Sequence, residues 1–481
     1  MAAIESSIRS RGSFTVLRCA ACAALVTLLG RASPAHAQAA SDPRRVYQDN
    51  IANEDWSFLA DPAKRTDEFD RLKYMPLGRD GWFMTLSGEA RVRPESLRID
   101  GGDTQPDLVD RYLLQRYLFA VSARLGPRLR LFTELQSGII NGKLGTPRPT
   151  DRDPGDLHQA FVELASARES RRPWIVRIGR QEISVGSSRL IAASQGLNVK
   201  RSFDGFSGSY NTGAWTVEGG AARLVAASPG AFDDSSNSQQ NFWGVSVARS
   251  GFPWPTGRIG FYYLGIDRQS STFVQGTAPE VRHTIGGRFA GSRRLFDYNY
   301  DVIGQWGTFG AAPVRAWAVA TENGYRLPGS RFRPRVSLRA NAATGDDDPG
   351  NPKLNSFNPL FPGNAYSGLV GLFGPTNMMD LTPSVQFIMP HRIVLIVESP
   401  AYWRTSPGDG LYAIDQRVLI DGRQNRERFV GVNPGFIFTW SATTHVLLLG
   451  SITVFHSGAF LKPTFVGNGF MFSSVSLRYR F

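Results

Sequence analysis

Residues 469–481 read GFMFSSVSLRYRF. Side chains alternate across a strand, so Met471, Ser473, Val475, Leu477, Tyr479 and Phe481 share one face. The other face carries Phe470, Phe472, Ser474, Ser476, Arg478 and Arg480. A strand that is apolar toward one side and presents arginine toward the other suits a wall between lipid and water. The closing strand of a soluble sheet is the alternative, and the rest of the chain decides between them.

The same alternation recurs upstream. From Trp82 to Arg93, Met84, Leu86, Ala90 and Val92 oppose Thr85, Ser87, Glu89, Arg91 and Arg93. In 129–137, Leu129, Leu131 and Leu135 oppose Arg130, Glu134 and Gln136; in 280–290, Val281, Ile285 and Phe289 oppose Arg282, Thr284 and Arg288. The clearest case is 331–341, with Phe332, Val336 and Leu338 against Arg331, Arg333, Arg335, Ser337 and Arg339. Eighteen such segments are predicted, starting near 82, 111, 128, 157, 174, 202, 214, 241, 257, 280, 295, 313, 331, 378, 392, 429, 445 and 469. Connections after even-numbered strands are short, such as Gly126-Pro127, Asn211-Thr212-Gly213 and Thr443-Thr444. Those after odd-numbered strands are mostly long (94–110, 138–156, 182–201, 224–240, 342–377, 404–428), with one exception near Gly310. Short turns on one rim and long loops on the other are the arrangement of an outer-membrane barrel, and a soluble sandwich has no reason to alternate so. The expected fold class is all-β: a transmembrane antiparallel β-barrel of about eighteen strands, of the outer-membrane type, spanning 81–481.

The amino terminus sets the compartment. Arg9, Arg11 and Arg18 precede an apolar run from Cys19 to Leu29, and Ala35-His36-Ala37 is a small-x-small cleavage site. Residues 1–37 therefore read as a secretory signal peptide. Both cysteines of the chain, Cys19 and Cys22, fall inside it, so the exported part carries no disulfide. Residues 38–80 are polar and read as a periplasmic N-terminal extension, with a short plug as the sharper alternative. The chain is basic, with a formal charge of +13 that is mostly arginine: only Lys64, Lys73, Lys143, Lys200, Lys353 and Lys462 are lysine among 54 basic residues. Base composition alone can produce such a bias; functionally, arginine's planar fork grips carboxylates bidentately. Nucleic acid is excluded as a partner by the export signal and the absence of a binding motif.

Several stretches resemble the alginate export family of outer-membrane barrels. These are Asn53-Glu54-Asp55-Trp56, Leu72 to Leu77, Gly88 to Arg93, Leu157 to Val162, Gly179-Arg180-Gln181-Glu182, Arg189-Leu190, and Asn198 with Arg201 to Gly205. Gly345 to Pro349, Phe357 to Pro362, Trp403-Arg404 and Asp409 are similar to later motifs of that family. The terminal strand with its final Phe481 likewise resembles the segment by which such barrels are recognised and inserted. The resemblance implies a multi-pass channel of the bacterial outer membrane through which an acidic polysaccharide leaves the periplasm. Outer-membrane lipid, the barrel assembly machinery and an anionic polysaccharide or small anion are its expected partners, and no cofactor is expected.

Parity places Arg91, Arg93, Arg116, Arg130, Arg177, Arg282, Arg288 and Arg339 on the lumen face, because an arginine facing lipid near the midplane would cost about 2–4 kcal/mol. These are the candidate pore-lining residues, with Glu89, Glu134, Glu163, Asp297 and Asp301 as partners bracing the wall. Arg180, Glu182, Arg189, Arg201 and Asp204 belong to the third outer loop and its flanks, and are the candidate constriction. Thr443-Thr444 leaves no long periplasmic turn to cap the entrance, so a passive porin taking up small nutrient molecules is the alternative function. An enzyme is not expected: His456 and Ser457 are adjacent in a strand and point to opposite faces. Asp346-Asp347-Asp348 lacks the ligand spacing of a calcium loop and reads as a solvated acidic turn; no metal site is expected.

Overall fold

The computed structural model describes residues 45–100, 107–166, 174–329, 331–363, 373–464 and 467–481; the expected signal at 1–37 lies outside them. The first nine barrel strands are β1 (Trp82–Asp100), β2 (Leu108–Leu125), β3 (Leu129–Asn141), β4 (Asp153–Ala165), β5 (Trp174–Gln181), β6 (Phe203–Thr212), β7 (Trp215–Ala226), β8 (Gln240–Ser250) and β9 (Arg258–Phe273). The rest are β10 (Gly276–Arg293), β11 (Phe296–Phe309), β12 (Ala312–Arg326), β13 (Arg335–Ala343), β14 (Met378–Met389), β15 (Ile393–Glu398 continued by Ala401–Arg404), β16 (Phe429–Val432 continued by Gly435–Ser441), β17 (Val446–Ser457) and β18 (Gly469–Arg480). They form one closed antiparallel barrel of 18 strands. Strands β15 and β16 are each divided at a proline, Pro400 and Pro434, because proline has no N–H to give the ladder.

Neighbours in sequence are neighbours in the wall, and β18 returns to pair with β1 in the register Glu89↔Arg480, Ala90↔Tyr479. Closure satisfies the backbone of both edge strands, which lipid cannot do. At the seam, Gly88 and Phe481 exchange two backbone hydrogen bonds of 3.0 and 3.1 Å. The Phe481 ring then lies where a side chain on residue 88 would go: a Cβ there would stand 2.2 Å from it.

Burial follows the alternation read from sequence. Val162, Ile178, Phe206, Phe261, Ile285 and Val302 are exposed on the outer surface, while Arg130, Glu134, Arg282 and Thr284 are buried inside. Trp174, Tyr210, Trp215, Phe296, Tyr325 and Trp440 are exposed near the short-turn ends of their strands, as an aromatic girdle at the periplasmic interface.

Two expectations change. The β9–β10 connection is only Val274-Gln275, so this hairpin, like β11–β12, lacks a long loop. Residues Arg331 to Pro334 lie in the turn before β13 instead of extending it, where Arg333 has φ +44 and Pro334 cannot donate to the ladder. The N-terminal segment, expected as a periplasmic extension with a short plug as the alternative, packs with the wall: Tyr47–Phe481 is one compact unit. Trp56 and Leu59 are buried, and the segment is tied to inward side chains of the wall. Arg478 and Arg480 reach Asp49 at 3.1 and 2.8 Å, Arg130 donates to the Ala52 carbonyl at 2.7 Å, and Lys73 meets Ser87 Oγ at 2.5 Å and Glu54 at 3.7 Å. Burial pushes the Lys73 ammonium down to about 8, against the opposing pull of Glu54.

Replacing Gly88 by leucine should displace Phe481 at a cost of about 1–3 kcal/mol, the range for overpacked sites. The expected outcome is a smaller heat-modifiable, folded fraction after insertion into lipid; wild-type folding of Gly88→Leu would show that this contact does not hold the seam.

Candidate functional site

A guanidinium offers five donors and no acceptor, so an arginine turned into a narrow lumen needs several oxygens. Strands β1 and β2 turn Arg91, Arg93 and Arg116 inward, and the 182–202 loop supplies oxygens by folding into the barrel. Arg91 donates to the carbonyls of Gln195 (3.2 Å) and Leu197 (2.8 Å) and to Asn198 Oδ1 (3.1 Å). Arg116 donates to the same two carbonyls at 3.0 and 2.9 Å, and to Glu89 at 2.6 Å. Arg93 takes the Gly196 carbonyl at 2.6 Å and Glu95 at 2.7 Å. Asn198 is buried and donates in turn to the carbonyls of Gln115, Ile139 and Asp151. The loop's far side is tied to β11 by Arg189 and Asp301, 3.2 Å apart.

A second loop, after β13, joins it. Ile191 pairs with Phe361 in a short parallel bridge, and Arg201 donates to the carbonyls of Ala192 (2.9 Å) and Phe361 (2.8 Å). Arg282 fixes this loop through the Ser356 carbonyl at 3.0 Å while paired to Glu280 at 2.6 Å, and Asn358 bonds the same carboxylate. Leu190, Ile191, Phe203, Phe242, Leu264, Phe357 and Phe361 form one apolar cluster between the loops and the wall. The cluster takes up part of the lumen on the side of β6 to β13. A third loop, 405–428, is held by Arg404, which donates to the carbonyls of Asp409, Gly422, Asn425 and Glu427.

Two spaces remain. One, of about 600 Å³, runs along β1, β2, β17 and β18, from Phe373 and Arg417 in the outer loops to Asp49 and Leu447 near the periplasmic rim. Arg91, Arg93, Lys143, Arg148 and Arg478 border it, together with an apolar stripe of Leu97, Ile99, Phe470 and Phe472 and the carboxylates Glu95, Asp110 and Asp151. The other, of about 610 Å³, lies against β5 to β8 and includes Arg177, Glu182 and Glu218. Gln195 and Asp49 border both.

The predicted pore residues thus divide by role. Arg91 and Arg93 border the first space and Arg177 the second. Arg116, Arg130 and Arg282 are buried braces. Arg288 donates to Asn299 at 3.0 Å, and Arg339 stands 4.0 Å from Asp380. Of the predicted constriction, Glu182, Arg189 and Arg201 are in the inward loop. Arg180 and Asp204 are not: they pair at 2.8 Å, opposite each other on β5 and β6. Parity gives them the outer face, shared with the exposed Ile178 and Phe206. The acidic turn also differs from expectation. Asp346 is fully buried and accepts from the Asp348 and Asn355 amides, so it is a loop brace, while Asp347 is exposed. Lys143, Arg148 and Arg417 escape a sequence reading because they stand in loops, where parity says nothing; Arg478 was legible by parity on β18.

Glu182 meets His158 Nε2 at 3.1 Å, Gln195 Nε2 at 3.0 Å and the Lys200 ammonium. Burial alone would raise its carboxyl; Lys200 and His158 outweigh that and hold it below the usual range. His456 is exposed outside the barrel and Ser457 buried inside, so the pair stays apart.

The family model for alginate export matches residues 83–466. No curated protein sequence matches the chain. Among solved structures, a BenF-like porin from Pseudomonas fluorescens Pf-5 is similar over 83% of this chain and 98% of its own, at 11% identity and TM-score 0.56. Acinetobacter baumannii OccAB1 covers 86% and 99%, at 12% identity and TM-score 0.55. Pseudomonas aeruginosa OpdK with vanillate covers 82% and 98%, at 9% identity and TM-score 0.54. At these identities the likeness speaks for the fold alone, which is that of a bacterial outer-membrane channel.

Arg91→Met removes charge-assisted hydrogen bonds worth about 1.5–3 kcal/mol each. The 195–198 segment should loosen, raising single-channel conductance and making the loop cleavable by added protease. Unchanged conductance and unchanged cleavage would show that the loop is held from elsewhere.

Proposed function

The chain belongs to the alginate export family, and we propose that its channel passes carboxylate-bearing saccharides, with export of an acidic, alginate-like polysaccharide as its task. One observation carries this reading. The space that runs between the two rims is edged by Arg91, Arg93, Lys143, Arg148 and Arg478 and faced by Leu97, Ile99, Phe470 and Phe472. The cations would draw carboxylates, and the apolar patch farther along the same seam would receive the flat faces of sugar rings. Its volume of about 600 Å³ suits a few sugar units in single file.

Passive uptake of small organic anions is the second reading. It is favoured by the braced loops, which leave a narrow path, and by the short β16–β17 turn at 442–445, which offers nothing to gate the periplasmic mouth. One structural relative is described with vanillate, a small carboxylate.

Reversal potentials across a planar bilayer under a salt gradient test the shared claim. The pore should prefer anions, and Arg148→Gln with Arg478→Gln should weaken that preference, most strongly below 0.1 M salt, where screening acts over more than about 10 Å. Cation preference in the wild type would contradict it. Uronate oligomers separate the two readings: blocking times that lengthen with chain length support threading of a polymer, whereas exclusion of all but mono- and disaccharides supports uptake.

A further inference from the structure

Where β4 begins, three carboxylates converge outside the solute path. One ligand oxygen each from Asp153, Asp156 and Asp234 lies within 4.8 Å of the others. Asp153 is fully buried, and neither of its carboxylate oxygens has a hydrogen-bond partner. Only the Gly155 amide leans toward it, outside good geometry. The other two are fixed as if to hold this arrangement. Asp156 accepts from the Leu157 amide (3.0 Å) and from the Asp233 and Asp234 amides (3.0 and 3.3 Å), and Asp234 accepts from the Ser228 amide at 2.7 Å. Phe232 N–H donates to the Gly155 carbonyl at 3.0 Å, so the 227–239 loop is docked on the start of β4.

Among the described residues no lysine, arginine or histidine forms an ion pair with any of the three. The Arg180 guanidinium is paired with Asp204 and donates to the backbone carbonyl of Asp234, at 3.4 Å. A buried carboxylate with no partner is strongly disfavoured, and two more beside it make it worse. Glu89, Glu163 and Glu280, buried in the same barrel, are each met by arginine; no arginine among the described residues pairs with these three.

We propose that Asp153, Asp156 and Asp234 bind one calcium ion, which staples the 227–239 loop to the outer end of β4. Hard oxygen donors from a strand end and a separate loop suit calcium, whose bonds of about 2.3–2.6 Å let two ligand oxygens stand up to about 5 Å apart and whose coordination tolerates irregular geometry. Magnesium demands a near-ideal octahedron at shorter distance. Loops on this rim face the cell exterior, where extracellular calcium sites work with dissociation constants of about 10⁻⁴–10⁻³ M. The site is independent of the solute reading, because none of its residues borders the path.

The test is radioactive calcium binding to the full barrel, refolded in detergent without lipopolysaccharide and stripped with chelator. The wild type should hold one saturable calcium per chain, and Asp153→Asn with Asp234→Asn should weaken binding at least tenfold. Added calcium should also slow protease cleavage within 227–239 in the wild type but not in the variant. Asp153→Asn alone, free of calcium, should be cut more slowly than calcium-free wild type, since it relieves the repulsion. A wild type with no saturable site, or equal calcium binding by the double variant, would overturn the proposal. If the double variant does not fold, the wild-type binding and cleavage measurements still decide it.

Discussion

The lumen's shape depends on guanidinium groups of the wall gripping backbone carbonyls of an inward loop. Arg91 and Arg116 together take the carbonyls of Gln195 and Leu197. A buried arginine that lacks partners costs several kcal/mol, so the wall needs these oxygens as much as the loop needs its anchors. Carbonyls carry no charge to titrate, and four bonds to two adjacent arginines fix the loop by geometry. The same device recurs where Arg201 joins the two inward loops, where Arg282 holds the Ser356 carbonyl, and where Arg404 gathers the 405–428 loop. Arginine serves this purpose better than lysine because one planar fork spans several acceptors.

Bracing also divides the barrel. On the side of β6 to β13 the inward loops bury an apolar cluster, and the space of about 610 Å³ against β5 to β8 lies beside it. On the side of β1, β17 and β18 they leave a space in which Arg91 and Arg478 stand toward the periplasmic end of the β1–β18 seam and Leu97, Ile99, Phe470 and Phe472 toward its outer end. The N-terminal segment narrows the periplasmic mouth by the same chemistry, since Arg130, Arg478 and Arg480 hold Ala52 and Asp49. Among the cations bordering the space along β1 and β18, Arg148 and Arg417 have the most exposed side chains.

The barrel was legible in the sequence because a two-sided wall imposes a period of two on every strand, and eighteen repetitions leave little room for accident. Strand starts fell close to their expected positions for that reason. Interior facing was equally legible for Arg91, Arg116 and Arg282. What parity could not say is whether an inward arginine meets solute or loop, since that depends on contacts more than a hundred residues away, as between Arg91 and Leu197. Arg180 and Asp204 misled because a family motif joins them to the inward loop, while strand parity turns them outward. Asp153, Asp156 and Asp234 went unread because the first two stand on β4 and the third comes from a loop far along the chain.

The central claim is that the path along β1 and β18 is the one solutes take, and that its field favours anions. From residue 23 onward the chain has no cysteine, so a single thiol can be placed at Ser474, which borders this path. Its reaction rates with negatively and positively charged thiosulfonates of similar size, each scaled to the rate with a free thiol, report local access and charge together. Faster reaction with the anionic reagent, and loss of conductance as it reacts, is the predicted result. Faster reaction with the cationic reagent, or full modification without change in conductance, would contradict the account.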